Sequence, residues 1–73
     1  MTSLPSLRPQ EVIAMLKRIG YVIDHQTGSH VILYKEGYLP VIVPMHNRDL
    51  KKGTLYQIIR SIGMSAEEFL RYR

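Results

Sequence analysis

An α+β sandwich is what these 73 residues should form: two amphipathic helices laid on one face of a small three-stranded antiparallel sheet. Three observations point there. Val12, Ile13, Met15, Leu16 and Ile19 recur at helical spacing and stop at Gly20, and Leu55, Ile58, Ile59 and Ile62 do the same before Gly63. Between the two stripes lie three β-branched or aromatic runs, separated by connections of hairpin length, which force antiparallel pairing.

The elements follow in order. Met1 to Leu7 is polar, carries Pro5, and reads as a flexible arm. Pro9 suits a first helical position, because its missing N–H has no intrahelical partner to lose there. Glu11 in the first turn and Lys17 and Arg18 in the last complement the helix dipole, giving a helix over Pro9–Ile19. Tyr21 to Gln26 reads as a strand, Thr27-Gly28 as a turn, and Ser29 to Glu36 as a second strand. Strict alternation places Asp24 and His25 on opposite faces of the sheet. Gly37 marks another turn, and Leu39 to Val43 is a third strand. Pro40 has no N–H for a ladder, which makes this strand an edge. Met45 to Lys52 is a charged loop, and a helix opens near Gly53-Thr54. Ser65-Ala66-Glu67-Glu68 is a capping box, in which the Ser oxygen takes the N3 amide and Glu68 returns to the cap amide, so a short last helix follows. The whole, residues 1–73, reads as one domain with no repeat, linker or low-complexity stretch.

Composition narrows the chemistry. Without cysteine there is no disulfide, thiolate nucleophile or cysteine-based zinc site. The short, interrupted apolar runs cannot span a bilayer, and Met1 to Pro9 lacks the features of a secretory leader, so the cytoplasm is the expected compartment. Ten Lys and Arg against six Asp and Glu give a net charge of +4, an excess that favours a polyanion without choosing among nucleic acid, acidic protein and membrane surface.

Three histidines carry most of the chemical possibilities. His30 follows Gly28-Ser29 at the start of a strand and shares a face with Ile32 and Tyr34. A ring there is held by the ladder and open to solvent, as a general acid or base requires; a half-buried strand histidine bonded to a backbone carbonyl is the plainer alternative. His46 lies in the charged loop and can meet phosphate or simply pack at the domain edge. His25, near the hairpin turn, reads as a solvated strand residue. No HxH, HxxxH or HExxH spacing suggests a metal, and no cofactor is implied. Arg48, Lys51, Lys52 and Arg60 face only Asp49 along the chain. With the free amides of a helix opening at Gly53-Thr54, they form either a phosphate site or a solvated loop, two readings of equal weight. No Ser-His-Asp set and no Gly-rich nucleotide loop is evident. Tyr34, Tyr38 and Tyr56 have faces on which bases can stack, though no spacing requires it. The αβββα order is also that of double-stranded RNA-binding domains, which by itself does not establish function.

In combination, several segments resemble the HicA toxin family of HicAB toxin–antitoxin systems. They are Gly20-Tyr21, Gly28-Ser29-His30, Val43-Pro44-Met45-His46, Leu50, Gly53-Thr54-Leu55, Ile58-Ile59, Gly63-Met64-Ser65 and Glu68-Phe69. The resemblance runs from about Val12 to Leu70. It implies a double-stranded RNA-binding-like fold, mRNA cleavage without a metal cofactor, an essential histidine at His30, and a HicB antitoxin that docks over that histidine. A non-catalytic RNA-binding module is the alternative. Under the resemblance, Gly28 admits the RNA backbone, Ser29 orients a phosphate, and His46 is an accessory proton carrier. Arg48, Lys51, Lys52, Gly53 and Thr54 then grip the RNA. Two departures stand out: Thr27 replaces an often basic residue, and Asn47 sits where many members have glycine.

Overall fold

The computed structural model describes residues 3–73; Met1 and Thr2 lie outside the described residues. The chain forms α1 (Pro9–Ile19), β1 (Val22–Thr27), β2 (His30–Tyr34), β3 (Val41–Pro44), α2 (Lys52–Ser61) and α3 (Ala66–Leu70). The sheet is antiparallel in the order β1-β2-β3, so β3 is an edge as expected, although it starts at Val41 and leaves Leu39 and Pro40 outside the ladder.

α1 has the bounds its sequence signals set. The Glu11 carboxylate accepts the Arg8 backbone N–H at 3.2 Å, satisfying one amide at the helix start. At the other end the Gly20 N–H reaches the Lys17 carbonyl at 3.1 Å and the Tyr21 N–H reaches that of Leu16 at 3.0 Å, a Schellman motif. The motif needs a left-handed residue, and Gly20 has φ 122°. A side chain at Gly20 would also press on Lys35, whose Cε lies 3.3 Å from where a Cβ would stand. Tyr21 is thereby drawn off the expected strand and into the core, beside Leu16. α2 closes in the same way, through Gly63 to Arg60 and Met64 to Ile59. α3 carries the expected capping box: Ser65 Oγ accepts the Glu68 N–H and Glu68 Oε1 accepts the Ser65 N–H, both at 3.2 Å.

Val31 and Leu33 of β2 and Val41 and Val43 of β3 turn inward and meet Val12, Met15 and Leu16 of α1 and Leu55, Ile58 and Ile59 of α2 in one cluster. Both helices lie against β3. Every residue of β1 is exposed, so this strand hangs beyond the helical layer. The arm expected over residues 1–7 is instead packed where it is described: Leu4 and Leu7 are buried in the core. The Leu50 N–H donates to the Leu7 carbonyl at 2.8 Å, and the Lys52 ammonium donates to the Leu4 carbonyl. The reason is size. A chain of this length leaves a large share of its surface open, and two leucines three positions apart close the end of the core that the helices do not cover.

Lys35 ties the hairpin to the helices. Its ammonium donates to the Ile19 carbonyl at 3.2 Å, at the negative end of α1, and stands 4.7 Å from the Tyr38 ring centroid and 5.9 Å from that of Tyr21. The Tyr21 hydroxyl is buried and has no hydrogen-bond partner among the described residues. Burial, and secondarily the nearby Tyr38 phenol, push it above its ordinary value of 10.0.

Two stability predictions follow from this packing. Leu7→Ala should cost about 2–5 kcal/mol in a urea denaturation curve, the usual range for a fully buried leucine; a curve matching wild type would show that the segment does not seal the core. Tyr21→Phe should leave stability at neutral pH equal or raise it by about 1 kcal/mol, because a buried unpaired hydroxyl is removed. The unfolded chain gives up the Tyr21 proton first, so wild type keeps the benefit of the neutral phenol below pH 10.0 and loses it as pH rises through the higher folded value. Denaturation midpoints measured across alkaline pH should fall less for Tyr21→Phe than for wild type.

Candidate active site

The β1–β2 hairpin turns on two residues, Gly28 and Ser29, between the paired Thr27 and His30. Gly28 has φ 55°, and no residue other than glycine has positive φ among those described. Positive φ at the first central position alone is the pattern of a type II′ turn, whose twist matches that of the strands it joins. Nothing lies within 4 Å of the space a Gly28 Cβ would occupy, so the outer side of the turn is open.

His30 is the first residue of β2 and is exposed. Val31 and Leu33 point to the helices, so His30, Ile32 and Tyr34 point away from them, as their alternation predicts. Its ladder partners are Thr27 on β1 and Pro44 on β3, and the Met45 N–H donates to the Ser29 carbonyl. The ladder and this bond place Pro44-Met45-His46 alongside Gly28-Ser29-His30. Residues 14 and 16 positions apart in sequence thus meet at one end of the sheet. The His46 ring is exposed, and its Nδ1 accepts a long 3.4 Å bond from the Arg48 N–H.

The basic segment is arranged less simply than its sequence suggests. α2 opens at Lys52, one residue earlier than expected, with Lys51 as its N-cap. Gly53 and Thr54 fall in the first turn, where amides lack intrahelical partners. Arg48, Lys51 and Lys52 are exposed, although Lys52 spends one of its three ammonium donors on Leu4. Thr54 lines a groove with Pro40, Val41 and Ile42, the end of β3 away from His30. No hydrogen bond, ion pair or ladder pair among the described residues joins Lys51–Thr54 to His30. The structure therefore brings Gly28, Ser29, His30 and His46 together and leaves the start of α2 as a separate feature.

One expectation is reversed. Asp24 and His25 do not project to opposite faces: Asp24 Oδ2 lies 2.6 Å from His25 Nδ1. The cause is a bulge. Ile23 pairs with Leu33 and His25 with Ile32, leaving Asp24 as an extra residue that breaks the alternation. Alternation alone could not reveal this, because the insertion has no marker in the sequence of β1. The rest of the outer face is partly apolar, with Val22, Tyr34 and Ile42 well exposed. Among the described residues, no three His, Asp or Glu side chains gather as a metal site would need, and no helix is long and apolar enough to cross a membrane.

A search of the curated proteins finds no match to the chain. A family model described as the HicA toxin of bacterial toxin–antitoxin matches residues 9–64. That span begins with α1, takes in the whole sheet with Gly28-Ser29-His30 and the His46 loop, and ends just after α2. The match covers well over half of the 73 residues, and the chain belongs to the HicA toxin family.

Proposed function

We propose that this toxin is a metal-independent endoribonuclease that cleaves mRNA, with His30 as general acid–base, and that a HicB-type antitoxin silences it by covering that residue. The observation that supports it most is the placing of His30: fixed by ladder pairs on both sides, exposed, and set beside an open turn at Gly28. RNA brings its own nucleophile. If His30 takes the proton of a 2′-OH, that oxygen attacks the adjacent phosphorus, the bond to the 5′-oxygen breaks, and a 2′,3′-cyclic phosphate forms. Gly28 leaves room for the backbone, Ser29 lies within reach of the phosphate, and His46 stands on the neighbouring segment. Arg48, Lys51, Lys52 and the amides of Gly53 and Thr54 supply positive potential along the rest of the strand.

The decisive test is cleavage of a single-stranded RNA in EDTA. Wild type should yield a 2′,3′-cyclic phosphate, and His30→Ala should be about 10²- to 10⁴-fold slower, the usual contribution of a positioned proton carrier, while still binding RNA. Dependence on Mg²⁺, or full activity of His30→Ala, would refute the reading. In cells, wild type should arrest growth, His30→Ala should not, and co-expression of a HicB-type antitoxin should restore growth; a module that only binds RNA would show no effect of His30→Ala. Arg48→Ala should lower the slope of log affinity against log salt by about 0.7 if it neutralises one phosphate of a single strand, as fluorescence anisotropy of a labelled 2′-deoxy analogue would show.

A further inference from the structure

The register of the β1–β2 hairpin sets a second imidazole on the face that carries His30, and the bulge brings Asp24 beside it. His25 pairs with Ile32, and residues directly opposite in an antiparallel ladder share a face, so His25 projects on the side of Ile32 and His30. It stands two residues before Thr27, the ladder partner of His30. The two histidines are therefore diagonal neighbours, about 7–8 Å apart between backbones. Both side chains thus flank one stretch of the outer face.

Asp24 makes His25 different from an ordinary surface histidine. An ionised carboxylate only accepts hydrogen bonds, so His25 Nδ1, 2.6 Å from Asp24 Oδ2, carries a proton and donates it to that bond. The ring is thereby held in one orientation and one tautomer, leaving Nε2 to exchange protons. The side chains of His25 and Asp24 are 57% and 60% exposed, so a strand of RNA can reach them. No carboxylate orients His46 among the described residues, and its only ring bond is the long one from the Arg48 N–H.

Resting on the reading of His30 given above, we propose that His25 is a second catalytic residue of the same cleavage, with Asp24 as its positioning residue. His30 accepts the 2′-OH proton as the 2′-oxygen bonds to phosphorus. The phosphorus–5′-oxygen bond breaks, its electron pair stays on the 5′-oxygen, and the imidazolium of His25 gives that oxygen the Nε2 proton. The products are a 2′,3′-cyclic phosphate and a free 5′-hydroxyl. His30 ends protonated and His25 neutral, and exchange with water resets both.

The test uses the full chain and two synthetic RNAs, one ordinary and one with sulfur in place of the bridging 5′-oxygen at the cleaved linkage. A thiolate leaves without being protonated. His25→Ala should cleave the ordinary RNA about 10²- to 10⁴-fold more slowly than wild type, and the sulfur-bridged RNA at close to the wild-type rate. His30→Ala should be slow on both. Asp24→Asn should show a smaller loss that sulfur also relieves, and binding of a 2′-deoxy analogue should be unchanged in all three variants. Wild-type cleavage of the ordinary RNA by His25→Ala, with His30→Ala inactive, would overturn the role of His25 alone. So would an equal loss on both RNAs, which marks a structural or binding role. Failure of wild type to cleave either RNA would overturn this proposal and the ribonuclease reading together.

Discussion

Parity along β2 governs where the chemistry can be. Val31 and Leu33 must face the helices, because they are among the few side chains available to close a core this small. Side chains alternate with a period of two, so His30, Ile32 and Tyr34 must then face outward. A slip of one residue would send His30 into the core and bring Val31 into water. The slip is opposed from both sides. The two-residue turn at Gly28-Ser29 sets the pairing with β1, and Pro44 and Val43 fix the pairing with β3. The exposure of His30 is thus enforced by the burial of its neighbours.

The same economy appears at the ends of the core. Residues that seem to be connections carry apolar weight: Leu4 and Leu7 before α1, Tyr21 after it, and Leu50 in the charged loop are all buried. Each is held by a backbone bond close to it. Leu7 is tied to Leu50, and Tyr21 sits within the helix-closing motif at Gly20. Lys35 then links that motif to the far end of the hairpin through one carbonyl and two rings. Backbone bonds and the Lys35 contacts thus add to the shared core in joining the helices, the N-terminal segment and the sheet.

Local signals were legible where the physics is local. Proline, glycine and terminal charges gave the bounds of α1, and the Ser65–Glu68 capping box appears as read. That His30 shares a face with Ile32 and Tyr34 was also readable from the alternation of β2, but which face looks outward was not, because Val31 and Leu33 offer the other face an equally apolar pair. What the residues could not disclose depends on tertiary contact or on a broken rule. Nothing near Leu4 and Leu7 in sequence marks the surface they cover, so the segment reads as a polar arm. Tyr21 has the composition of a strand residue, yet the closure of α1 takes it into the core. The pairing of Asp24 with His25 rests on one inserted residue, which alternation has no means to foresee. The divided placing of Arg48 to Thr54 likewise depends on where α2 begins and which side of it meets β3.

β1 contributes nothing to the buried cluster, and it is bonded on one side only. Unfastening it from β2 would therefore cost ladder bonds and little apolar contact, well short of the price of global unfolding. Of the three strands, β1 is the one whose opening would least disturb the core. Warming would disorder the rim of the hairpin first, so whatever work is done there would fade at temperatures at which spectroscopy still reports an intact protein.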